Sequence, residues 1–254
     1  MVERIDLHKE KEIAQYLHEH WRELFIGSGS SRAVFSIDEG LAKILGDLPF
    51  DCIIKMSLGL GGYRQSVLEY NTYCNYEDLQ PCLATIVARG SIFTVMEEID
   101  TDYDFYEFYD YYNCDAEDMV GEWYDEDEDG NYPDGYERDI KFYNKARDVI
   151  FQLEEYFGTT SDNCQLGLTD SGDLVAYDYG FDGGRYASEQ MTHSSTYFSY
   201  GKDRSQTDLF FEVLLDALEE EMTLGFDFLD ENDFDRIEKS YCHLIEDEED
   251  ENAE

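Results

Sequence analysis

The chain has 254 residues and carries 61 Asp and Glu against 18 Lys and Arg, a formal net charge of −43. A field of that sign repels nucleic acid and anionic membrane surfaces and favours basic partners. Hydrophobic residues make up 42% of the chain, which excludes global disorder and supplies enough apolar side chain for a sizeable core.

No stretch approaches the roughly 18 consecutive apolar residues of a membrane span. Residues Met1 to Asp6 lack the apolar region of a secretory signal. The six cysteines are scattered without C-x-x-C spacing and read as reduced thiols, so a cytoplasmic protein is expected. Adaptation to high salt is a second reading of the charge, one that the 21 Tyr and 16 Phe do not suggest.

The first predicted helix covers residues 9–24, with Ile13, Tyr16, Leu17, Trp21 and Leu24 at helical spacing. Short β-like runs follow at 24–26, 33–37, 52–56, 84–88 and 92–98, punctuated by Gly40, Gly46 and Pro49. A further helix is expected over 64–76. Residues 1–98 therefore read as a strand-rich lobe, an antiparallel sheet with one internal helix. His18 and His20 are two apart and face different sides of the first helix, so they form no metal pair.

Residues 99–138 read as an acidic, aromatic insertion between lobes. Within 100–139, seventeen acids face one base, Arg138, among rings such as Tyr103, Phe105 and Trp123. Asp125, Glu126, Asp127, Glu128 and Asp129 form its densest run and the expected partner-binding surface. With Gly130 and Asn131 this run imitates the start of an EF-hand, but Tyr136 stands where a bidentate glutamate closes such a loop. A solvated acidic surface is the better reading. Beyond it, 139–157 is a helix, 164–168 and 173–177 are strands joined by the turn Thr169-Asp170-Ser171-Gly172, and 209–222 is another helix. These give a helical lobe over 139–244, and 245–254 read as a disordered acidic tail.

Four elements, in order, carry chemistry. Phe25-Ile26-Gly27-Ser28-Gly29-Ser30-Ser31-Arg32-Ala33-Val34-Phe35 is a glycine hairpin that lets backbone amides lie close over phosphates. Lys55 ends the apolar run Cys52-Ile53-Ile54. Glu69 follows fourteen residues on, in a predicted helix. Asp178 opens Asp178-Tyr179-Gly180 directly after a strand. Phe93 to Glu98 reads as the strand entering a hinge. In this order the residues resemble the protein-kinase-like plan: glycine loop, strand lysine for the phosphates, helix glutamate pairing that lysine, and metal-binding aspartate.

The resemblance covers roughly residues 20–225 and is strongest to the small kinase-like proteins of tailed phages. Those often have GxGxxR in place of GxGxxG, as Arg32 provides here, and a closing strand pair GNWGVxxDGxLVxxDYG, to which Leu166 to Gly180 is similar. The resemblance implies an α+β, bilobal, protein-kinase-like fold with a strand-rich N-lobe and a mainly helical C-lobe. It implies ATP with Mg²⁺ as cofactors, nucleotide binding by Gly27, Ser28, Gly29, Lys55 and Glu69, and metal binding by Asp178.

The same resemblance exposes a break. The family's metal-binding asparagine falls on Gln165 and its catalytic aspartate on Thr160. Threonine accepts no proton near neutral pH, and Gln165, neutral and longer than asparagine, would hold a second Mg²⁺ poorly. Asp162 is the candidate substitute base.

Three readings follow. The first is a catalytically impaired, kinase-like phage protein, a pseudokinase in the host cytoplasm. Its acidic surface would mimic nucleic acid, capture a basic, nucleic-acid-binding host protein and inhibit host defence. The second is an active ATP-dependent phosphotransferase with an atypical base. The third is an acidic α+β protein whose motif matches arise by chance.

Overall fold

Residues 2–29, 31–101, 135–157, 165–179 and 204–251 are described by the structure, a computed structural model. They divide into two units: residues 1–72, 85–98 and 184–254 in the first, and 73–84 and 99–183 in the second. In chain order the elements are β1 (Glu3–Arg4), α1 (Leu7–Leu24), β2 (Phe25–Ser28), β3 (Arg32–Ser36), α2 (Glu39–Leu45), β4 (Cys52–Ser57) and α3 (Leu60–Asn75). Then come β5 (Ile86–Arg89), β6 (Phe93–Glu97), α4 (Tyr136–Phe157), β7 (Gln165–Leu168), β8 (Leu174–Asp178), α5 (Arg204–Leu224) and α6 (Glu231–Glu251). The chain is α+β, and among the described residues no helix is long and apolar enough to cross a membrane.

The first unit is built on a six-stranded sheet in the order β1-β5-β6-β4-β3-β2. Its inner strand β4 holds β-branched and apolar residues with buried Ile54 and Met56, and pairs antiparallel with β3 and β6. The sheet is mixed, because β1 runs parallel to β5. This corrects the expected antiparallel sheet. A two-residue strand carries no readable alternation, and three helices with three further strands intervene before its partner.

The one internal helix also becomes two, since α2 accompanies α3. Asp38 caps α2, accepting from the Leu41 amide at 2.9 Å, and Gly46 ends it at φ 100°. α1 is capped likewise by Asp6, which accepts from the Lys9 amide at 2.9 Å.

α1 buries Leu7, Ile13, Ala14, Leu17 and Leu24. It also buries Glu10, whose Oε1 accepts from the amides of Ile92 at 2.6 Å and Phe93 at 3.2 Å at the β5–β6 turn. Burial pushes this carboxyl up to about 7, against the smaller opposing pull of those amides and of Arg89.

The C-terminal helices belong to the first unit, which corrects the expected helical lobe over 139–244. Phe210, Phe211, Leu214 and Leu218 of α5 and Phe234, Ile237 and Tyr241 of α6 join Ile5, Leu17, Phe35 and Ile54 in one apolar core. The His18 ring stacks on Phe211 with centroids 5.4 Å apart, and Lys11 reaches Glu219 at 3.0 Å. Helical periodicity marks a buried face but not the surface that covers it. α6 runs to Glu251, so most of the expected disordered tail is helical.

In the second unit α4 buries Tyr143, Ala146, Val149, Ile150 and Leu153 along one stripe. β7 and β8 form an antiparallel pair closed by the expected turn. The Gly172 amide donates to the Thr169 carbonyl at 2.8 Å, and Gly172 takes φ 79°. Tyr179 is fully buried and donates to the Ala84 carbonyl at 3.2 Å.

Candidate functional site

The glycine hairpin is β2 and β3, with the Gly29 amide donating to the Arg32 carbonyl at 3.0 Å. Neither Gly27 nor Gly29 has a positive φ, and a Cβ on either would meet nothing within 4 Å. The fold itself therefore does not demand glycine at these two positions. Ser28 lies between them, exposed.

The hairpin is tied to α3 at its base. Ser31 Oγ donates to Gln65 Oε1 at 2.7 Å, and the Ser31 carbonyl accepts from the Leu58 amide at 3.0 Å. Gly62 makes this approach feasible, since a Cβ there would overlap the Ser31 carbonyl oxygen and lie 3.1 Å from Ser57 Cα. With α3 seated so close, the residues four and seven positions beyond Gly62, Ser66 and Glu69, are buried on the same helix face.

Glu69 is wholly buried and receives two cations. Arg32 Nη1 donates to Oε2 at 2.6 Å and Nη2 to Oε1 at 2.9 Å, a bidentate fork. Lys55 Nζ reaches Oε1 at 3.5 Å. All three side chains are buried. Lys55 and Glu69 thus come together, the pairing that the resemblance implies. The correction is that Arg32 holds the carboxylate more closely than Lys55 does, because a planar guanidinium matches both oxygens at once and an ammonium matches one.

Sequence reading noted Arg32 as part of the hairpin motif but gave it no partner. A basic residue opening the apolar strand Ala33-Val34-Phe35 was the available signal. Thr94 is the register partner of Lys55 across β4 and β6, and among the described residues its buried hydroxyl has no hydrogen-bond partner.

In the second unit Gln165 and Asp178 are register partners across β7 and β8, Gln165 exposed and Asp178 half-buried. Among the described residues no group of three His, Cys, Asp or Glu converges as a metal site. Thr160, Asp162 and the acidic run Asp125 to Asp129 lie outside the described residues.

No protein-family model matches the chain, and no curated protein matches it. Among solved structures it is similar to choline kinase LicA from Streptococcus pneumoniae, at 14% identity and a TM-score of 0.26, covering 93% of this chain and 99% of that one. That score is too low to define a shared fold.

Proposed function

We propose that the chain is a catalytically impaired, protein-kinase-like protein that works by binding and not by phosphoryl transfer. The observation that carries this reading is the buried meeting of Lys55 and Glu69, held by Arg32, at the foot of a glycine hairpin. It supports a retained nucleotide-binding half, while the sequence offers Thr160 where the resemblance calls for a base. The amides of Gly27 to Gly29 and the Lys55 ammonium would hold the phosphates of ATP, with the Thr94 hydroxyl beside Lys55. The side-chain space open at both glycines fits that use. Asp178 would take one Mg²⁺, and the neutral Gln165 opposite it would add little charge for a second. Bound Mg²⁺ would supply charge neutralisation for the phosphates.

The binding function rests on the −43 charge. The acidic surface, Asp125 to Asp129 included, acts as a nucleic-acid mimic toward a basic host protein, in the cytoplasm of a phage-infected cell. Capture by the partner's Lys and Arg follows the same ion pairing and counterion release that govern its hold on nucleic acid.

Two measurements test the reading together. Mg-ATP should raise the melting temperature, and Lys55→Met should remove the rise, with no labelled phosphate passing from ATP to host proteins. A purified basic DNA-binding host protein recovered on the immobilised chain should be displaced by duplex DNA and should leave steeply as NaCl rises. Partner binding indifferent to both DNA and salt overturns the mimic. Phosphate transfer that Lys55→Met abolishes establishes the second reading, a phosphotransferase with Asp162 as base, which the intact Lys55–Glu69 pair favours.

A further inference from the structure

A cavity of about 400 Å³ opens beside β1 and β5, at the opposite edge of the first unit's sheet from the glycine hairpin. Arg4 and Arg89 are register partners in the parallel β1–β5 pair, so both side chains leave the sheet on one face, and both line the cavity. Like charges placed side by side repel unless something offsets them. Part of the offset is aromatic. The Arg4 guanidinium lies 3.3 Å from the Phe228 ring centroid, and that of Arg89 lies 5.0 Å from Tyr70. Arg89 also hydrogen-bonds the hydroxyl of Tyr63, whose ring stacks on Phe234.

The acids nearby hold other groups as well, although Glu10 also feels the charge of Arg89. Glu3 accepts from Lys9 at 3.1 Å. Asp230 caps α6, accepting from the amides of Asn232 at 2.7 Å and Asp233 at 3.3 Å. Glu10, beneath the turn, spends one oxygen on the amides of Ile92 and Phe93. The chain has only 18 basic side chains among 61 acids, and here two of them stand in adjacent register within one concave, ring-lined site.

Paired guanidiniums present forked N–H donors to a carboxylate or phosphate, and aromatic walls accept a flat apolar body. The volume falls in the range of small-molecule sites. We propose that this cavity binds a small organic molecule joining an oxyanion to a planar ring, the oxyanion between Arg4 and Arg89 and the ring among Tyr63, Tyr70 and Phe228. Carboxylate and phosphate share the chemistry that the two arginines read.

Titration of isotope-labelled protein with phenyl phosphate and with benzoate, beside benzamide and inorganic phosphate, tests this. At least one ring-bearing anion should shift the amides of Gly90, Ser91 and Leu229 and bind at least tenfold more tightly than benzamide or inorganic phosphate. Which one binds tells the carboxylate source from the phosphate source. Arg4→Gln, at an exposed position that leaves the core intact, should weaken that binding at least tenfold, and Arg4→Lys should weaken it less. Ile26→Ala, at an exposed position of β2 on the other sheet edge, should leave it unchanged. Absence of binding by both anions, equal binding of benzamide, or unchanged binding in Arg4→Gln overturns the proposal.

Discussion

Glu69 is the residue on which the candidate site turns, because it is a buried anion between two buried cations. Removing its charge takes a buried carboxylate from both. Glu69→Gln should cost about 3–5 kcal/mol, read as a lower urea midpoint with unchanged slope, and Lys55→Met should cost less because the Arg32 fork remains.

Glu10 behaves in the opposite sense. Its carboxyl sits near 4.5 ordinarily and near 7 in the fold. Between those values the folded chain keeps a proton that the unfolded chain has released, so Glu10 withdraws stability as pH rises from about 4.5 to about 7. The whole effect is about 3 kcal/mol, fully felt above pH 7. Glu10→Gln keeps an acceptor for the Ile92 amide and removes the titration. Urea unfolding at pH 4.5 and 7.5 should show the variant gaining about that amount over the parent across the interval. An unchanged difference between the two proteins would show that Glu10 does not titrate there.

At this scale the sequence was half legible. The order of Gly27, Lys55, Glu69 and Asp178 was readable. The closer hold of Arg32 on Glu69 was not, because it depends on the depth at which α3 seats against β3.

That depth is a property of elements, and it is set by glycine. Gly62→Ala drives a methyl group into the Ser31 carbonyl, which is backbone and cannot swing aside. The expected cost is about 1–3 kcal/mol, with Glu69 pushed out of register beneath the hairpin. Gly29→Ala meets no atom within 4 Å and no positive φ, so its melting temperature should match the parent while Mg-ATP affinity falls. Comparing thermal melts of the two variants with and without Mg-ATP separates a glycine that builds the fold from one that serves a ligand.

Strong alternation and helical spacing made β2 to β8, α1, α3, α4 and α5 readable. The seven-residue α2 was missed because Gly40 and Gly46 looked like loop punctuation, although Asp38 caps its start. α6 was not legible because Phe234, Ile237 and Tyr241, which keep helical spacing on its buried face, are sparse among its many acids.

For the whole molecule the dominant quantity is charge. With 61 acids and 18 bases the compact state repels itself, and added salt screens that repulsion. Raising NaCl from about 20 to 200 mM should stabilise the chain by about 1–2 kcal/mol, or roughly 2–8 °C in melting temperature by calorimetry. A fall in melting temperature would mean that the surface ion pairs, such as Lys11–Glu219, outweigh the repulsion. Composition made this scale legible. The partnership of distant segments was not, because an apolar stripe does not name what covers it.

That partnership has a consequence for biosynthesis. The sheet and α1 are complete in sequence by Glu97, yet the helices that share their core begin at Arg204. A ribosome adding 5–20 residues per second leaves roughly 5–20 s in which the nascent chain shows an oily flank with nothing to lay upon it. Translation thus produces a sticky half-molecule before a finished one, and chaperone capture of stalled chains should peak between those two points.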